Sequence, residues 1–340
     1  MHDDLAAAIS LAEGLSRVGL TDRLRSHDPV LLECAAALVP RAREVRAAAA
    51  ARGIQFVGWN APGYPAPLLN LTDAPPGLWY RGALACLTGR VVAIIGSRSG
   101  SSVALETAGQ LARDLAARGI VVVSGLARGV DSAAHRGALA GDGSTVAVLG
   151  SGLDRVYPAE HKGLAGAIEQ RGAVVSEFPP EAPPLPFHFP LRNRIISGLS
   201  RAIVVIEASE KSGSLITVSC ALEQGKDVMA VPGSVLGGRN RGGHALIRDG
   251  AKIVESADDI VEELGWTELS RGASSVVSGD LSTTSGNSLV GSMQPGLAYE
   301  IDELAANSGV SAGELLTLLT RLELGGFIRR VPGGRFVRAL

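Results

Sequence analysis

The stretch Val91-Val-Ala-Ile-Ile-Gly-Ser-Arg-Ser-Gly100 decides the fold. Five apolar residues without polar alternation indicate a strand buried on both faces, and the glycines and serines that follow indicate a tight loop at its carboxyl end. The pattern recurs along the chain, with helical segments in between. The predicted strands are 91–95, 120–123, 145–149, 173–176, 202–206, 227–231 and 252–254. Such alternation predicts an α/β fold with a doubly wound parallel sheet.

The flanking segments differ from the sheet in composition. Residues 1–60 carry alanine and leucine at helical spacing and predict a small helical region. Within it, Arg17-Val-Gly-Leu20 fits either a degenerate helix-hairpin-helix (SAM-like) turn or a plain helical cap. Residues 61–265 hold the predicted α/β sheet domain, which begins with a proline-punctuated extended connector. Residues 266–295 predict a flexible Ser/Gly linker, because they cannot bury enough apolar surface to order themselves.

Residues 296–340 regain globular patterning and predict a winged helix. Two helical segments lead to the glycines at 325–326, and two short runs then flank the turn Pro332-Gly-Gly334. Arginines crowd that hairpin, and they are Arg329, Arg330, Arg335 and Arg338. These side chains fit contact with duplex DNA or a protein partner through the wing, and they equally fit a hairpin kept soluble by charge.

The composition excludes several classes of protein. The 340 residues carry 32 basic and 34 acidic side chains, a net charge of −2, so a basic site must be local. The apolar runs are far shorter than the roughly 18 residues of a membrane span, and the acidic amino terminus does not fit a signal peptide. Three scattered cysteines indicate neither a disulfide framework nor a zinc site. We therefore expect a soluble, cytoplasmic protein without a membrane span.

Basic and small residues follow the predicted strands. Because the carboxyl ends of parallel strands share one edge of a sheet, these loops should meet there. Small residues let backbone N–H groups approach an anion, and the starts of the following helices add their positive dipole ends. The basic residues of the loops are Arg98, Arg128, Arg155, Arg192, Arg194, Lys211, Arg239 and Arg241. The sequence therefore predicts a binding site for a phosphate-bearing ligand.

This edge lacks the motifs of nucleotide-dependent enzymes. No G-x-G-x-x-G follows the first strand of the sheet, and G-x-x-x-x-G-K-[ST] does not occur. Ser214 and Ser219 lack a nucleophile elbow, and the histidines show no metal spacing. Asp131 and His135 fit a helix start and a packing residue better than an acid and a base. We expect no catalytic residue, no metal and no cofactor.

A site that binds phosphates without hydrolysing them fits a polymeric ligand with a phosphate backbone. Proteins that bind single-stranded nucleic acid combine a positive groove with side chains on which bases stack. Arginine can bind phosphate through two N–H groups or lie flat against a base. Phe187 and Phe189 fit either base stacking or buried packing. The candidate contacts to single-stranded DNA are Gly96, Ser97, Arg98, Arg128, Arg192, Asn193, Arg194, Lys211, Ser212, Gly213 and Ser214.

Six ordered motifs lie in and around these loops. They are Gly96-Ser-Arg98, Ser124-Gly-Leu-Ala-Arg-Gly-Val-Asp-Ser-Ala-Ala-His135, Gly152-Leu-Asp-Arg-Val-Tyr-Pro158, Phe189-Pro-Leu-Arg-Asn-Arg-Ile-Ile-Ser-Gly-Leu-Ser200, Ser212-Gly-Ser-Leu-Ile-Thr217 and Leu246-Ile-Arg-Asp-Gly-Ala251. With these motifs the chain resembles the DprA/Smf family of DNA-processing proteins, over about residues 62–264.

The resemblance implies an extended Rossmann-like domain that binds single-stranded DNA as a homodimer. It implies that the protein hands this DNA to the recombinase RecA during natural transformation. It also implies protection of the incoming DNA and an encounter with the single-strand-binding protein. By resemblance, Gly96, Ser97 and Arg98 grip phosphate, and Lys211 and the pair Arg192 and Arg194 line the groove. The segment around His244, Leu246 and Ile253 corresponds to a region of dimer contact.

An enzyme on a similar fold is the alternative. Nucleotide phosphoribohydrolases of the lysine-decarboxylase-like type share the sheet and the phosphate loop, and resemble Pro-Gly-Gly-x-Gly-Thr-x-x-Glu near the fifth strand. Here that stretch is Lys211-Ser-Gly-Ser-Leu-Ile-Thr217, and Val218 and Ser219 follow where the glutamate would lie. The sequence therefore favours a protein that binds DNA without catalysis.

Overall fold

The computed structural model describes residues 3–12 and 19–266, and in the carboxyl-terminal part residues 289, 293, 297–308, 315, 318–320, 322–323, 327–331 and 335–338. The chain divides into two compact units, Met1–Gly272 and Ala273–Leu340. In the described residues no helix combines the length and the apolar character that a membrane crossing needs.

A mixed sheet organises the first unit. Its strands are β1 (Gln55–Gly58), β2 (Gly77–Gly82), β3 (Val91–Ile95), β4 (Val121–Ser124), β5 (Thr145–Val148), β6 (Ala173–Ser176), β7 (Ala202–Val205), β8 (Asp227–Ala230) and β9 (Lys252–Ile253). Their spatial order is β1-β2-β6-β5-β4-β3-β7-β8-β9, and β3 to β9 run parallel. Every residue of β3 to β7 is buried, which agrees with their unbroken apolar sequences. The predicted α/β class and parallel sheet are confirmed.

Two antiparallel strands extend the sheet beyond the prediction. Strand β1 pairs with β2, and β2 pairs with β6. The prolines around them indicated a connector, but Phe56 and Trp79 place their rings 4.7 Å apart and give this edge its own apolar contact. Since β1 lies before residue 60, the boundary predicted there falls after the first strand of the sheet.

Helices cover both faces of the sheet. They are α1 (Asp3–Leu11), α2 (Leu20–Arg25), α3 (Pro29–Ala50), α4 (Ser102–Ala117), α5 (Val130–Ala140), α6 (Lys162–Arg171), α7 (His188–Leu199), α8 (Ser214–Glu223), α9 (Arg241–Arg248) and α10 (Ala257–Glu263). Apolar residues of α4, α5 and α10 share one core with Val92 and Ile94 of β3. Residues of α1–α3 and α6–α8 share the other core with Ala93 and Ile95. Alternate side chains of β3 thus point to opposite faces of the sheet and pack in the two cores.

The amino-terminal helices begin the second of these layers. Asp28 caps α3 by accepting a hydrogen bond from the Leu31 amide at 2.9 Å. Most of the turn predicted at 17–20 lies outside the described residues; Gly19, at its end, has φ 67°, and α2 begins at Leu20. The helical character predicted for residues 1–60 is therefore present in α1, α2 and α3.

The second unit has its own core and sheet. Strands β10 (Ala298–Tyr299), β11 (Ile328–Val331) and β12 (Arg335–Arg338) form an antiparallel sheet in the order β10-β12-β11, and α11 spans Ile301–Ser308. The buried core residues include Leu304, Leu315, Leu319, Leu322 and Phe336. The turns predicted at 309–311 and 332–334 lie outside the described residues, as does the predicted linker from 267 to 288. Leu289 and Met293, near the end of that linker, are buried in this core.

Candidate functional site

The strand order reverses between β3 and β7, so the loops after these two strands lie side by side. Open α/β sheets bind ligands at such a switch point. The Ser97 amide donates to the Glu207 carbonyl oxygen at 2.7 Å and joins the two loops. The Glu207 carboxylate accepts from the Ser101 hydroxyl at 2.7 Å, which holds the start of α4 in place. A pocket of about 340 Å³ opens here, which we call the switch-point pocket.

Glycines allow the close approach of loops in this pocket. At Gly96 a β-carbon would lie 2.8 Å from the Val130 side chain at the start of α5. Gly129 has φ 76°, a conformation that side chains rarely adopt, and a β-carbon there would overlap the Ser97 carbonyl oxygen. The β3–α4 loop therefore presses against the start of α5.

Arg98 lies exposed on the pocket rim and rests on an aromatic ring. Its guanidinium carbon is 5.6 Å from the centroid of the Phe189 ring. Tyr157 contacts the same ring, with centroids 5.5 Å apart at 52°. Beneath, a β-carbon at Gly150 would lie 2.8 Å from the Phe189 ring. Phe189 thus supports Arg98 and Tyr157, which restricts the stacking surface that we predicted for its own ring.

Arg192 lines the same pocket and is buried, with 4% of its surface exposed. Its Nη1 donates to the carbonyl oxygens of Gly125, at 2.6 Å, and of Val148. A β-carbon at Gly125 would overlap that nitrogen, so a side chain at this position would displace the Arg192 guanidinium. Burial lowers the pKa of Arg192 to about 10, which still leaves it charged at neutral pH.

Arg192 has unused bonding capacity. Its Nε is buried and has no hydrogen-bond partner among the described residues. Within the same residues no carboxylate forms an ion pair with its guanidinium. A buried cation without a paired anion is costly unless a ligand supplies the charge. The opposite charge that acts on Arg192 in the described residues is that of Asp131, through space and without an ion pair.

Asp131 is the carboxylate in the pocket lining, and its hydrogen bonds are structural. Its Oδ2 accepts from the amides of Gly125 at 3.1 Å and Ala127 at 3.4 Å. Burial raises its pKa, and the nearby Arg192 charge and these amides work against that rise. Asp131 therefore shapes the β4–α5 loop that Arg192 contacts, as expected for a residue of the helix start.

The start of α8 closes the other side of the pocket. Ser212, Gly213 and Ser214 line it, and the hydroxyls of the two serines are 2.7 Å apart. The amides of Ser214 and Leu215 donate to the hydroxyl and carbonyl oxygens of Ser212, at 3.4 Å and 3.1 Å, and the Ile216 amide donates to the Gly213 carbonyl oxygen. The start of α8 therefore adds the positive end of its helix dipole to the pocket, and not free amides.

Most of the predicted phosphate contacts meet in the switch-point pocket. They are Gly96, Ser97, Arg98, Arg192, Asn193, Ser212, Gly213 and Ser214. Lys211 is exposed and lines the neighbouring depression with Ser209 and Arg241. Arg128 lies on the opposite side, where its Nε donates to Glu160 at 2.5 Å. The basic surface therefore continues beyond the pocket on two sides.

Arg194 requires a correction, because it is not in the lining of this pocket. Its guanidinium is buried and pairs with Glu177 and with Asp73, each at 2.8 Å. Residues two positions apart on a helix point to different sides, so Arg192 and Arg194 could not both face one pocket from α7. The predicted arginine pair is thus one pocket residue and one structural residue.

The remaining predicted residues lie elsewhere. Phe187 is 60% exposed, contacts the His188 ring edge-on and is absent from the pocket lining. His244 and Leu246 are half-buried on α9, and Ile253 is exposed on β9, the open edge of the sheet. In the second unit Arg329, Arg330 and Arg335 are exposed, with the Arg330 guanidinium 5.7 Å from the Phe336 ring. Contacts to a second copy, to DNA or to a partner stay predictions for these residues.

Sequence reasoning missed Tyr157. The sequence signal that could have found it is an aromatic residue in the loop after β5, two residues after Arg155 and directly before a proline. The Tyr157–Pro158 peptide bond is cis.

The fold and pocket define a Rossmann-like protein with an arginine-lined pocket at the switch point of its sheet, joined to a small unit with an antiparallel sheet. The chain belongs to the DNA recombination-mediator protein A family, whose family model matches residues 55–265. The DprA winged helix domain matches residues 293–334. The predicted membership of the DprA/Smf family and the carboxyl-terminal winged helix are thereby confirmed.

Relatives and solved structures agree with this assignment. Protein Smf of Escherichia coli (strain K12) is 40% identical over 290 residues, which cover 80% of this chain and 74% of the relative. The X-ray structure of DNA processing protein A (DprA) from Streptococcus pneumoniae is similar with a TM-score of 0.67 and 36% identity, covering 77% of this chain and 98% of that one. DNA processing protein A from Helicobacter pylori, in a structure describing its single-stranded DNA binding mode, gives a TM-score of 0.56 and 28% identity, covering 62% and 96%. The family is one of DNA-processing proteins.

Proposed function

We propose that the chain binds single-stranded DNA by holding its phosphates in the switch-point pocket. The observation that carries the proposal is Arg192, a buried guanidinium with an unpartnered Nε and no ion pair among the described residues, close to the exposed Arg98. A backbone phosphate supplies the missing charge and accepts hydrogen bonds from both arginines. The DNA-binding relative from Helicobacter pylori supports the choice of a single strand.

Phosphate contacts of this kind make affinity depend on salt and little on sequence. The strand would continue from the pocket toward Lys211 and Arg241 on one side and Arg128 on the other. Because the contacts are made to the backbone, the protein would coat any single strand that reaches it. That property suits a protein that processes incoming DNA.

The test is a titration of a labelled oligothymidylate, followed by fluorescence anisotropy at several salt concentrations. Arg98→Ala should weaken binding about tenfold or more, because it removes a charged contact. The matched control is Arg171→Ala, since Arg171 is half-exposed and pairs with Asp142 at the end of α6. Equal affinity of the wild type and Arg98→Ala would contradict the proposed site.

We propose further that the bound strand is delivered to the recombinase RecA in the cytoplasm during DNA uptake, in the presence of the single-strand-binding protein. The support is membership of the DNA recombination-mediator protein A family. A filament-assembly assay checks this: the chain should shorten the lag of RecA assembly on DNA coated with single-strand-binding protein, and Arg98→Ala should not. An unchanged lag with the wild type would exclude delivery.

We also propose a homodimer that uses the open β9 edge. Ile253 is 52% exposed there, and Leu246 lies nearby on α9. Strand β9 has two residues, one of them the charged Lys252, so we expect the contact to be made by the apolar side chains of Ile253 and Leu246 and not by strand pairing. Light scattering should give twice the chain mass, and Ile253→Lys should shift it toward the monomer. A monomeric wild type at micromolar concentration would contradict this proposal.

The absence of catalysis is part of the same proposal. Asp131, the carboxylate of the pocket lining, and Glu207, in the neighbouring loop after β7, already accept hydrogen bonds from the β4–α5 loop amides and from Ser101 respectively. Neither is arranged to attack or protonate a bound nucleotide. Incubation with nucleoside monophosphates should therefore release no free base, whereas base release would favour a phosphoribohydrolase.

A further inference from the structure

The loop between β8 and α9 carries two exposed apolar side chains, and we call its residues 233–239 the apolar-tip loop. Val235 and Leu236 are each 79% exposed, more than any other large apolar side chain that the structure describes. The loop lies at the carboxyl edge of the sheet, next to the loop that follows β7. Two neighbouring apolar side chains in water are unfavourable, which indicates a partner that covers them.

The base of the apolar-tip loop is held by hydrogen bonds. Asn240 is 2% exposed; its side-chain oxygen accepts from an amide of the loop after β7 at 3.1 Å, and its side-chain nitrogen donates to the Val231 carbonyl oxygen at 3.2 Å. Gly237 and Gly238 have φ of 71° and 69°, a conformation that favours glycine. The chain therefore turns back directly after Leu236, on a fixed base.

Three exposed cations lie around this tip, namely Lys211, Arg239 and Arg241. Lys211 and Arg241 line a depression of about 440 Å³ together with Val235. Arg239 donates to a carbonyl oxygen of the β3–α4 loop at 3.1 Å, which leaves its charge uncompensated. Within the described residues none of the three forms an ion pair. Glu210 is the acidic residue of the depression, so positive charge prevails around the tip.

A membrane surface fits this combination better than a protein partner does. Two side chains supply much less than the roughly 800 Å² per partner that a stable protein interface buries. Apart from Val235, the depression beside the tip is lined by polar and charged side chains and glycine. At the surface of an anionic bilayer, by contrast, a few apolar side chains can leave water while neighbouring lysines and arginines meet the lipid phosphates.

We propose that the apolar-tip loop docks the protein reversibly on an anionic lipid membrane, with Val235 and Leu236 inserted between the headgroups and the acyl chains. The three cations then lie at the depth of the headgroups. Stable anchoring of this kind takes two signals, so the apolar tip and the cations are both required. The inference goes beyond the proposed function, and it places the switch-point pocket near the membrane surface, because both lie at one edge of the sheet.

The test is co-sedimentation with vesicles of equimolar phosphatidylcholine and phosphatidylglycerol, compared with vesicles of phosphatidylcholine alone. The full chain should prefer the anionic vesicles, and its binding should weaken as salt rises. Leu236→Ser should weaken binding about tenfold, because it removes the gain from burying the side chain. Arg241→Gln should weaken it about fivefold, as expected for one cation at an anionic surface.

Val30→Ser is the matched control, since Val30 is 64% exposed in the first turn of α3, outside the apolar-tip loop. It should bind the vesicles as the wild type does. Equal vesicle binding by Leu236→Ser and the wild type would overturn the inference, because the cations alone would then explain the attraction. A lower mass of Leu236→Ser in light scattering, without a change on vesicles, would assign the tip to a second copy of the chain instead.

Fluorescence quenching tests insertion of the tip. Leu236→Trp introduces a residue suited to the membrane interface, so it should retain vesicle binding, and brominated lipids should quench its added emission. The wild type gives the baseline, since its Trp59 and Trp79 are buried in the fold. Equal quenching of the wild type and Leu236→Trp would overturn insertion.

Titration with oligothymidylate separates this inference from the proposed phosphate site. Leu236→Ser should bind oligothymidylate as the wild type does, and a loss there without a loss on vesicles would assign the tip to the strand. If only Arg98→Ala has an effect, and only on oligothymidylate, membrane docking fails and the phosphate site stands. If Leu236→Ser loses the vesicles while Arg98→Ala binds oligothymidylate normally, the phosphate site fails and membrane docking stands.

Discussion

The two faces of α7 hold the same residue type in opposite electrostatic situations. Arg192 faces the switch-point pocket, bonds to two backbone carbonyls and has a buried Nε without a partner in the described part of the chain. Arg194, two residues later, is buried between Glu177 and Asp73 and donates to both carboxylates. Both guanidinium groups are almost removed from water.

The difference shows what separates a binding arginine from a structural one. Burial costs both residues hydration, but Glu177 and Asp73 compensate Arg194 within the fold. Arg192 is compensated by carbonyl dipoles and by the Asp131 charge acting through space, since no described carboxylate pairs with it directly. One face of α7 is therefore complete without a ligand, and the other face gains from an anion.

The largest expected effect is on the structural face. Arg194→Ala leaves Glu177 buried without its guanidinium partner, and breaking such a pair costs about 3–5 kcal/mol of the free energy of unfolding. Urea unfolding followed by circular dichroism measures this loss. A loss below about 1 kcal/mol would show that water already screens the pair.

A double variant sharpens that result. Arg194→Met with Glu177→Gln removes both charges and should recover part of the stability lost in Arg194→Ala, because no uncompensated charge remains at Glu177. No recovery would mean that shape, rather than charge, explains the loss.

The next effect is on the ligand face. Arg192→Gln should weaken oligothymidylate binding about 10- to 100-fold, since it removes charged hydrogen bonds to phosphate. Its unfolding free energy should fall less than that of Arg194→Ala, because the variant also relieves an unpaired buried charge. Anisotropy titration and urea unfolding on the same sample separate the two quantities. The contrast between the two faces of α7 would be contradicted if Arg192→Gln bound oligothymidylate as tightly as the wild type but lost as much unfolding free energy as Arg194→Ala.

A third variant disturbs Arg192 from outside its helix. A β-carbon at Gly125 collides with Nη1 of Arg192, so Gly125→Ala should displace the guanidinium and weaken binding about fivefold. The loss should be non-additive with Arg192→Gln, because both act through one group. The control is Gly163→Ala on the same titration, since Gly163 lies within α6 and nothing lies within 4 Å of a β-carbon at that position. Additive losses would show that Gly125 affects binding by another route.

The smallest expected effect concerns Arg128, whose partner is exposed. Glu160→Gln frees Arg128 for the strand and should raise affinity less than about fivefold, since exposed ion pairs are weak. Asp142→Asn, which frees Arg171 away from the pocket, is the control and should leave affinity unchanged. A weaker complex with Glu160→Gln would show that the ion pair positions Arg128 instead of occupying it.

The sheet could be predicted from sequence because its central strands are unbroken apolar runs between helical segments. Strands β1 and β2 could not be predicted in this way, because prolines surround them in the sequence. Their pairing is accompanied by the Phe56–Trp79 ring contact, which the sequence pattern does not reveal. The position of the site could also be predicted, because the carboxyl ends of parallel strands share one edge of the sheet. Gly96, Arg98, Ser212 and Ser214 lie together at that edge.

The partners of each arginine could not be predicted from the loops alone. Arg194 pairs with Asp73, from the segment before β2, and Glu177, after β6, both distant in sequence. Helical geometry did contain a warning, because a spacing of two places Arg192 and Arg194 on different sides of α7. The contact of Tyr157 with Phe189 could not be predicted, because Phe189 lies in the first turn of α7, far from Tyr157 in the sequence.

The salt dependence of single-stranded DNA affinity tests the central claim most directly, namely that Arg192 holds a backbone phosphate. Plots of log affinity against log salt concentration would be compared for the wild type, Arg192→Gln and the control Arg171→Gln. We expect the slope of Arg192→Gln to be shallower by about 0.7, the value for one phosphate contact on a single strand, and that of Arg171→Gln to match the wild type. An Arg192→Gln slope equal to that of the wild type would contradict the account.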